Sequence, residues 1–319
     1  MTDKLSNIAA KSLGDSTSYA VFTDTFDASL LNPMPRKIAR DGHGIKGTEF
    51  QGADLWTCHE ATFLLDNGLP VAGTLRFIYG ADSELMIESK SAKLYLNSFD
   101  MCRMGPSYTK AVENYENQVK NDLEKTLGVA VEVKFFGDGF YQTPRGHVDL
   151  LYGHTPLTSS FDPETWKGFT GAINSETLLK MKFDDYTGQK NHVKSIETGN
   201  RQEHKYYTNI LRSRCRHTKQ KDTGVAGISY LSTKFISPPS LLKQIVSLRE
   251  VNEFHEFCAE KLFVSIAKKL NKEDNLSVAL LYSRRGSLDI NPIRYRGHPS
   301  VAIKDALNIQ NIVKKAQGQ

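Results

Sequence analysis

A chain of 319 residues with 39% hydrophobic and 24% charged residues has the balance of a globular protein, long enough for two ordinary domains. Its apolar runs, such as Leu276 to Tyr282, fall well short of the ~20 residues a membrane-spanning helix needs, and its amino terminus is polar rather than signal-like, so the expectation is a cytoplasmic protein with no membrane partner. Cysteines at 58, 102, 215 and 258 form no C-x-x-C pair and predict reduced thiols, and a net charge of +5 suits a polyanionic partner and a phosphate-bearing cofactor equally well.

The segment to about Thr48 is rich in Ser, Asp, Lys and Pro with little periodicity and reads as an extended arm that wraps the rest. Leu55 to Leu65 and Pro70 to Tyr79, rich in apolar, aromatic and β-branched residues, flank Asp66-Asn67-Gly68 as a hairpin. Cys58, near Trp56, reads as a small buried hydrophobe. A short strand at Glu84 to Ile87 runs into Glu88-Ser89-Lys90-Ser91, where Ser89 or Ser91 would cap a helix. Its free N–H groups, with Lys90 and Lys93, suit a phosphate, although an ordinary capped helix with solvated lysines explains the same residues. Tyr108 to Leu127 carries one apolar stripe, Val112, Tyr115, Val119, Leu123 and Leu127, and predicts a core-facing helix. Val129 to Phe136 and His147 to Tyr152 read as closing strands on either side of Gly137-Asp138-Gly139.

Thr155 to Gly168 is a Ser/Thr/Pro-bearing connection and divides the chain into residues 1–158 and 159–319. Residues to about His204 are polar and give no clear element. The earlier order then recurs: strands at Lys205 to Arg214 and Val225 to Ser232, helices at Pro239 to Leu248 and Glu253 to Leu270, strands at Leu276 to Ser283 and Leu288 to Ile290. Ser91 to Phe99 can be laid over Ser240 to Leu248. The fold class is therefore α+β, with two tandem modules, each an antiparallel sheet with two helices. In the last long helix Phe254, Cys258, Leu262, Ile266 and Leu270 form the core stripe, while His255 and Glu256 lie off it in the first turn, where a Glu commonly just complements the helix dipole.

The chemistry points to Ser213 to Gly224. Arg212, Arg214, Arg216, His217 and Lys219 surround Cys215 with positive charge, which favours a thiolate, and Asp222 follows one short loop later. If the chain turns between Lys219 and Gly224, thiol and acid face one another as nucleophile and proton donor. A solvated basic loop around a surface cysteine explains the same residues. Ser283-Arg284-Arg285-Gly286-Ser287 is a second basic turn, either a phosphate clamp or a hairpin tip.

Taken in order, these stretches resemble the 7-cyano-7-deazaguanine reductases of queuosine biosynthesis, the QueF family, in its long two-module form. The resemblance rests on Asp27-Ala28-Ser29-Leu30-Leu31, Asp54-Leu55-Trp56-Thr57, Glu88-Ser89-Lys90-Ser91 through Phe99, Cys215 with Thr218, Gln220 and Asp222, Asn252 to Glu256, and Arg284-Arg285-Gly286 leading to Leu288 to Pro292. It implies the tunnelling fold (T-fold) in each module, with a homodimer of two-module chains. It implies a metal-free, four-electron reduction of the nitrile of 7-cyano-7-deazaguanine by NADPH. Cys215 would form a covalent thioimide, Asp222 would supply a proton and His255 would assist. Glu88, Glu256 and Phe254 would hold the base, and Ser89, Lys90, Ser91, Arg284, Arg285 and Gly286 would hold the cofactor. The chain has no G-x-G-x-x-G stretch, so dinucleotide binding would be of a non-Rossmann kind. It departs from the family at Arg214, where Asn is usual, and at Lys219, Lys221 and Thr223, where the usual loop has His, Pro and Trp. The alternatives are a same-fold enzyme that acts on the nitrile without reduction, by amination or hydrolysis, and a basic nucleic-acid-binding protein on a dead scaffold. The basic cluster has no aromatic stacking platform, so no stable nucleic-acid partner is expected.

Overall fold

The computed structural model describes residues 25–137, 146–158, 171–216, 218–284 and 286–314. The boundary expected after residue 158 runs into residues outside that set, and His217 and Arg285 also lie outside it.

The first half comprises β1 (Pro33–Pro35), α1 (Arg36–Gly42), β2 (Gln51–Leu64), β3 (Pro70–Gly80), β4 (Leu85–Ile87), α2 (Ser89–Asn97), α3 (Tyr108–Leu127), β5 (Val131–Gly137), β6 (Gly146–Val148) and β7 (Thr155–Pro156). The second comprises α4 (Ser175–Lys180), β8 (Ser195–Arg214), β9 (Lys221–Ile236), α5 (Pro238–Val246), α6 (His255–Ala267), β10 (Asn275–Tyr282), β11 (Leu288–Arg296), α7 (Val301–Leu307) and β12 (Asn311–Val313). The fold is α+β. One sheet carries eight strands in the order β5-β3-β2-β11-β10-β9-β8-β7, antiparallel throughout except at the β7–β8 edge. Its seam is the pairing of β2 with β11, from Leu288 opposite Cys58 to Tyr295 opposite Gln51, which joins the two halves through backbone hydrogen bonds.

At β10 both faces of this sheet are covered, which explains why that strand reads as an unbroken apolar run. Val278, Leu280 and Tyr282 pack with α5 and α6, and the alternate Ala279 and Leu281 pack against Ile303 and Ala306 of α7. The other helix pair, α2 and α3, lies over β2, β3 and β5, with Val112, Tyr115, Val119, Leu123 and Leu127 all buried there. Ser107 caps α3 through Lys110 N, and Gly128 ends it in the left-handed conformation. The described part of the arm, from residue 25, is not all extended, since Arg36–Gly42 is helix α1; its Ala39 and Ile45, with Phe50 just beyond, join the core under α5 and α6.

Four further expectations change. The strand expected at His147 to Tyr152 is only Gly146–Val148 and pairs in parallel with β12 instead of adding to the sheet beside β5, which stands at the sheet's edge. The unassigned residues before His204 include the first half of β8, whose exposed outer stretch lacks apolar alternation. The helix expected over Pro239 to Leu248 is α5 followed by a separate 3-10 turn at Ser247–Glu250, and α6 starts two residues later than expected and ends three earlier. The cap of α2 is neither Ser89 nor Ser91 but Glu88, whose carboxylate accepts the Ser91 N–H.

Candidate active site

The β8–β9 register sets the first part of the site. Ser213 stands opposite Asp222 and Arg214 opposite Lys221, and beyond them the Cys215 N–H donates to Gln220 O at 2.9 Å while Lys219 N–H returns to Cys215 O at 3.0 Å. Lys219 takes a φ of 58° to close this turn. Side chains two apart on a strand share a face, and cross-strand partners share it too, so Cys215 and Asp222 project to the same side. The tip is tied down from outside: Arg214 N–H donates to Val251 O, and Arg216 pairs with Glu253 at 3.0 Å and lies over the Phe254 ring.

The start of α6 supplies the second part. Phe254 occupies the N-cap position without a side-chain cap. The His255 ring stacks on Tyr282, with centroids 3.7 Å apart and planes 6° apart, which places Nε2 3.5 Å from Asp222 Oδ2. Its Nδ1 is buried with no hydrogen-bond partner among the described residues. Asp222 is itself buried, so the pair forms a desolvated imidazole–carboxylate unit at the pocket wall. Glu256, the next residue, is 2% exposed. Burial, with Asp54 adding repulsion, pushes its carboxyl up to about 8 against the pull of Arg36 and Arg294. At neutral pH it therefore rests protonated, unlike the first-turn anion that would complement the helix dipole.

The third part comes from the first module. Glu88 caps α2 with Oε2, 2.8 Å from Ser91 N, and its own N–H is held by Asn32 O. Lys90 then reaches across the seam, with Nζ 3.6 Å from Cys215 Sγ and 3.6 Å from Glu88 Oε1. A cation at that distance favours the thiolate form of the cysteine. Gly286 has φ +55°, and a Cβ there would come within 2.4 Å of Lys93 Nζ, so this glycine leaves the room that the lysine occupies.

These parts meet around one cavity of about 250 Å³. Cys215, Asp222 and His255 line it, as do Glu88, Glu256 and Phe254, and as do Ser89, Lys90 and Gly286. Two sequence candidates do not. Ser91 lies buried beneath it, bonded to Glu88 O and Asn32 N, and Arg284 is exposed outside it. Ile87, Leu288 and Ile290 add apolar walls suited to a flat ring. From the sequence Arg216 is only one of the charges around Cys215; its pairing with Glu253, which pins the thiol-bearing turn, carries no signal there, nor do the roles of Arg36, Asp54 and Arg294, which press on Glu256, because no periodicity marks residues whose partners are so distant in the chain.

The α+β chain thus gathers a thiol, a buried acid–imidazole pair and two carboxyls around one aromatic-sized cleft, the groups that covalent catalysis on a planar ring would need. Residues 22–135 match the family model described as nitrile reductase, 7-cyano-7-deazaguanine reductase, N-terminal, so this part of the chain is similar to that family. The matched stretch includes Glu88 to Ser91 and ends before Cys215.

Proposed function

We propose that this chain is an NADPH-dependent reductase that converts the nitrile of 7-cyano-7-deazaguanine to an aminomethyl group in queuosine-type biosynthesis. The family of the N-terminal part supports a role as such a nitrile reductase. The observation that carries the finer reading is the meeting of Cys215, Asp222 and His255 from the second module with Glu88 and Lys90 from the first in one cavity.

In this reading Cys215, held as thiolate by Lys90, attacks the nitrile carbon, and Asp222 delivers a proton to the nitrile nitrogen, giving a thioimide. His255, 3.5 Å from Asp222, restores that proton. The base lies between Phe254 and the aliphatic wall, its N–H edge towards Glu88 and Glu256. The pocket rim fits a phosphate-bearing dinucleotide, since Ser89, Lys90 and Gly286 line it and Lys93 stands against Gly286. These residues would hold NADPH, with Arg284 outside the cavity available to its phosphates. When bound, NADPH would supply the hydrides, one for the carbon of the Cys215 adduct and one for the imine carbon left once the Cys215 thiolate has departed. Two hydrides and two protons balance nitrile to amine. No helix of the described residues is long and apolar enough to cross a membrane, which fits the proposed cytoplasmic location, and a homodimer is the proposed assembly.

The test mixes the protein with NADPH and 7-cyano-7-deazaguanine, follows NADPH absorbance and weighs the product. Two NADPH consumed per aminomethyl product, lost in Cys215→Ala, is the expected result. A thioimide mass on the wild type with NADPH untouched would overturn the reductase in favour of a non-reducing enzyme on the same nitrile; neither adduct nor turnover would overturn both.

A further inference from the structure

Behind the pocket lies a cluster of buried charges that the proposed chemistry does not use. Arg36 of α1 and Arg294 of β11 clasp the two oxygens of Asp54 on β2, at 2.5 and 2.8 Å. Arg294 and Arg40 both reach Glu260 of α6, at 3.0 and 2.7 Å. Arg36, Asp54, Arg294 and Glu260 are each at most 3% exposed. Three guanidinium groups thus face two carboxylates, and one positive charge is left over. The buried Nη1 of Arg36 has no hydrogen-bond partner among the described residues, and the carboxylate oxygen it faces, Glu260 Oε1, is 3.9 Å away.

An uncancelled charge in a dry interior is costly, and a third carboxylate would complete the cluster. Glu256 is in the right place. It sits one helical turn before Glu260 on the same helix, it lines the pocket, and it is in electrostatic reach of Arg36, Arg294 and Asp54.

We propose that Arg36 is a positioning residue for Glu256: the spare charge of its cluster holds this side chain ready to become an anion when a ligand presents N–H donors, so ligand capture expels one proton from the protein. The nature of that ligand rests on the functional reading above. Without ligand, burial and Asp54 keep Glu256 protonated to about pH 8. The groups facing it are Arg36 on α1, Asp54 on β2, Tyr79 on β3, Arg294 on β11 and, along its own helix, His255 and Glu260; Glu88 lines the same pocket. Of these, Arg36 and Arg294 favour the anion, and Asp54 opposes it. Donors on the ligand supply what burial removed, and the balance tips.

The probe is 7-deazaguanine, which shares the pyrimidine edge but has no nitrile, so binding reports that edge without covalent chemistry. Its affinity is measured calorimetrically from pH 6 to 9 in buffers of different ionisation enthalpy. For the wild type we expect affinity to rise about tenfold per pH unit up to about pH 8 and then level, with about one proton released per ligand at neutral pH. Glu256→Gln should flatten the profile; a slope that survived it would belong to another group, such as His255, and would overturn the proposal. Arg36→Lys, which keeps charge but not the planar fork, should weaken binding about tenfold at pH 7 and move the rise to higher pH. Asp54→Asn should move the rise to lower pH, a direction that a merely loosened fold does not produce, and it decides the matter if Arg36→Lys does not fold. A flat wild-type profile, or unmoved profiles in folded Arg36→Lys or Asp54→Asn, overturns this inference and leaves the functional reading standing. No binding of 7-deazaguanine at any pH overturns both.

Discussion

The two modules repeat one another down to single hydrogen bonds, yet only one end of each serves the pocket. Tyr79 OH receives Ile87 N–H as Tyr230 OH receives Ile236 N–H. Ser91 Oγ donates to Glu88 O and accepts Asn32 N–H; Ser240 Oγ donates to Ser237 O and accepts Lys194 N–H. Ser98 Oγ turns back to Tyr95 O as Ser247 Oγ does to Gln244 O. Against this shared frame the differences stand out. Glu88 becomes Ser237, which makes no side-chain cap, and the Asp66-Asn67-Gly68 turn becomes the turn that begins at Cys215. Ser107, an ordinary cap, has Phe254 as its counterpart, followed by His255 and Glu256. The frame is repeated because it holds each helix to its sheet; the chemistry is not, because one cavity at the seam needs one thiol and one set of carboxyls.

The sharpest way to break this asymmetry is at the acid. Asp222→Asn keeps the shape and the neighbour of His255 but removes the transferable proton, so turnover should fall roughly 10²- to 10⁴-fold with little change in melting temperature. A turnover within tenfold of wild type in stopped-flow assays would remove Asp222 from the proton path. Next comes the pair Glu88→Ala and Ser237→Ala. Glu88→Ala should weaken substrate binding and also cost the cap, roughly 0.5–2 kcal/mol in urea unfolding. Ser237→Ala, at the matching position, should lie within about 0.5 kcal/mol of wild type with unchanged kinetics. Equal losses in both would mean that Glu88 is only a cap.

A smaller effect is expected at Glu256, in stability. Its folded-state value of about 8 stands above its ordinary 4.5, so the folded protein binds a proton that the unfolded chain has already released between those two values. Stability contributed by the neutral acid is therefore present below about pH 4.5 and is lost as pH rises towards 8. Glu256→Gln has no such loss. The variant should match wild type in acid and melt roughly 2–4 °C higher above pH 8 by differential scanning fluorimetry. A gap that did not grow with pH would place Glu256 outside the desolvated cluster.

How much of this was legible in the sequence follows from the range of the forces involved. The α3 stripe and the hairpin at Asp66-Asn67-Gly68 are local patterns, and they appear where periodicity and turn chemistry place them. The shared face of Cys215 and Asp222 needed only a turn of the right length, which the chain supplies. Two kinds of fact were out of reach. One is where free edges go: β2 pairs with β11 across more than 200 positions, and β6 is displaced to β12. The other is the charge environment of Glu256, set by Arg36 from the arm and Arg294 from the last strand of the sheet, neither of which carries any local signature.

The smallest predicted effect separates frame from site most finely. Resemblance to the family assigns Ser91 to the cofactor, but its hydroxyl already has one acceptor and one donor: it gives its proton to Glu88 O at 2.7 Å and takes the Asn32 N–H at 3.1 Å. Ser240 repeats both bonds, at 2.7 Å to Ser237 O and 2.9 Å from Lys194 N, on a helix that does not border the cavity. Two serines with the same bonds in the same frame should cost the same when removed. Ser91→Ala and Ser240→Ala each strand a backbone N–H and should each lose about 1 kcal/mol in urea unfolding. If Ser91 is a brace, its alanine variant leaves the KM for NADPH within about twofold of wild type, as Ser240→Ala does. A tenfold rise confined to Ser91→Ala, at equal stability loss, would show that the hydroxyl leaves its brace to meet the cofactor, and would extend the asymmetry of the two modules by one residue beyond Glu88.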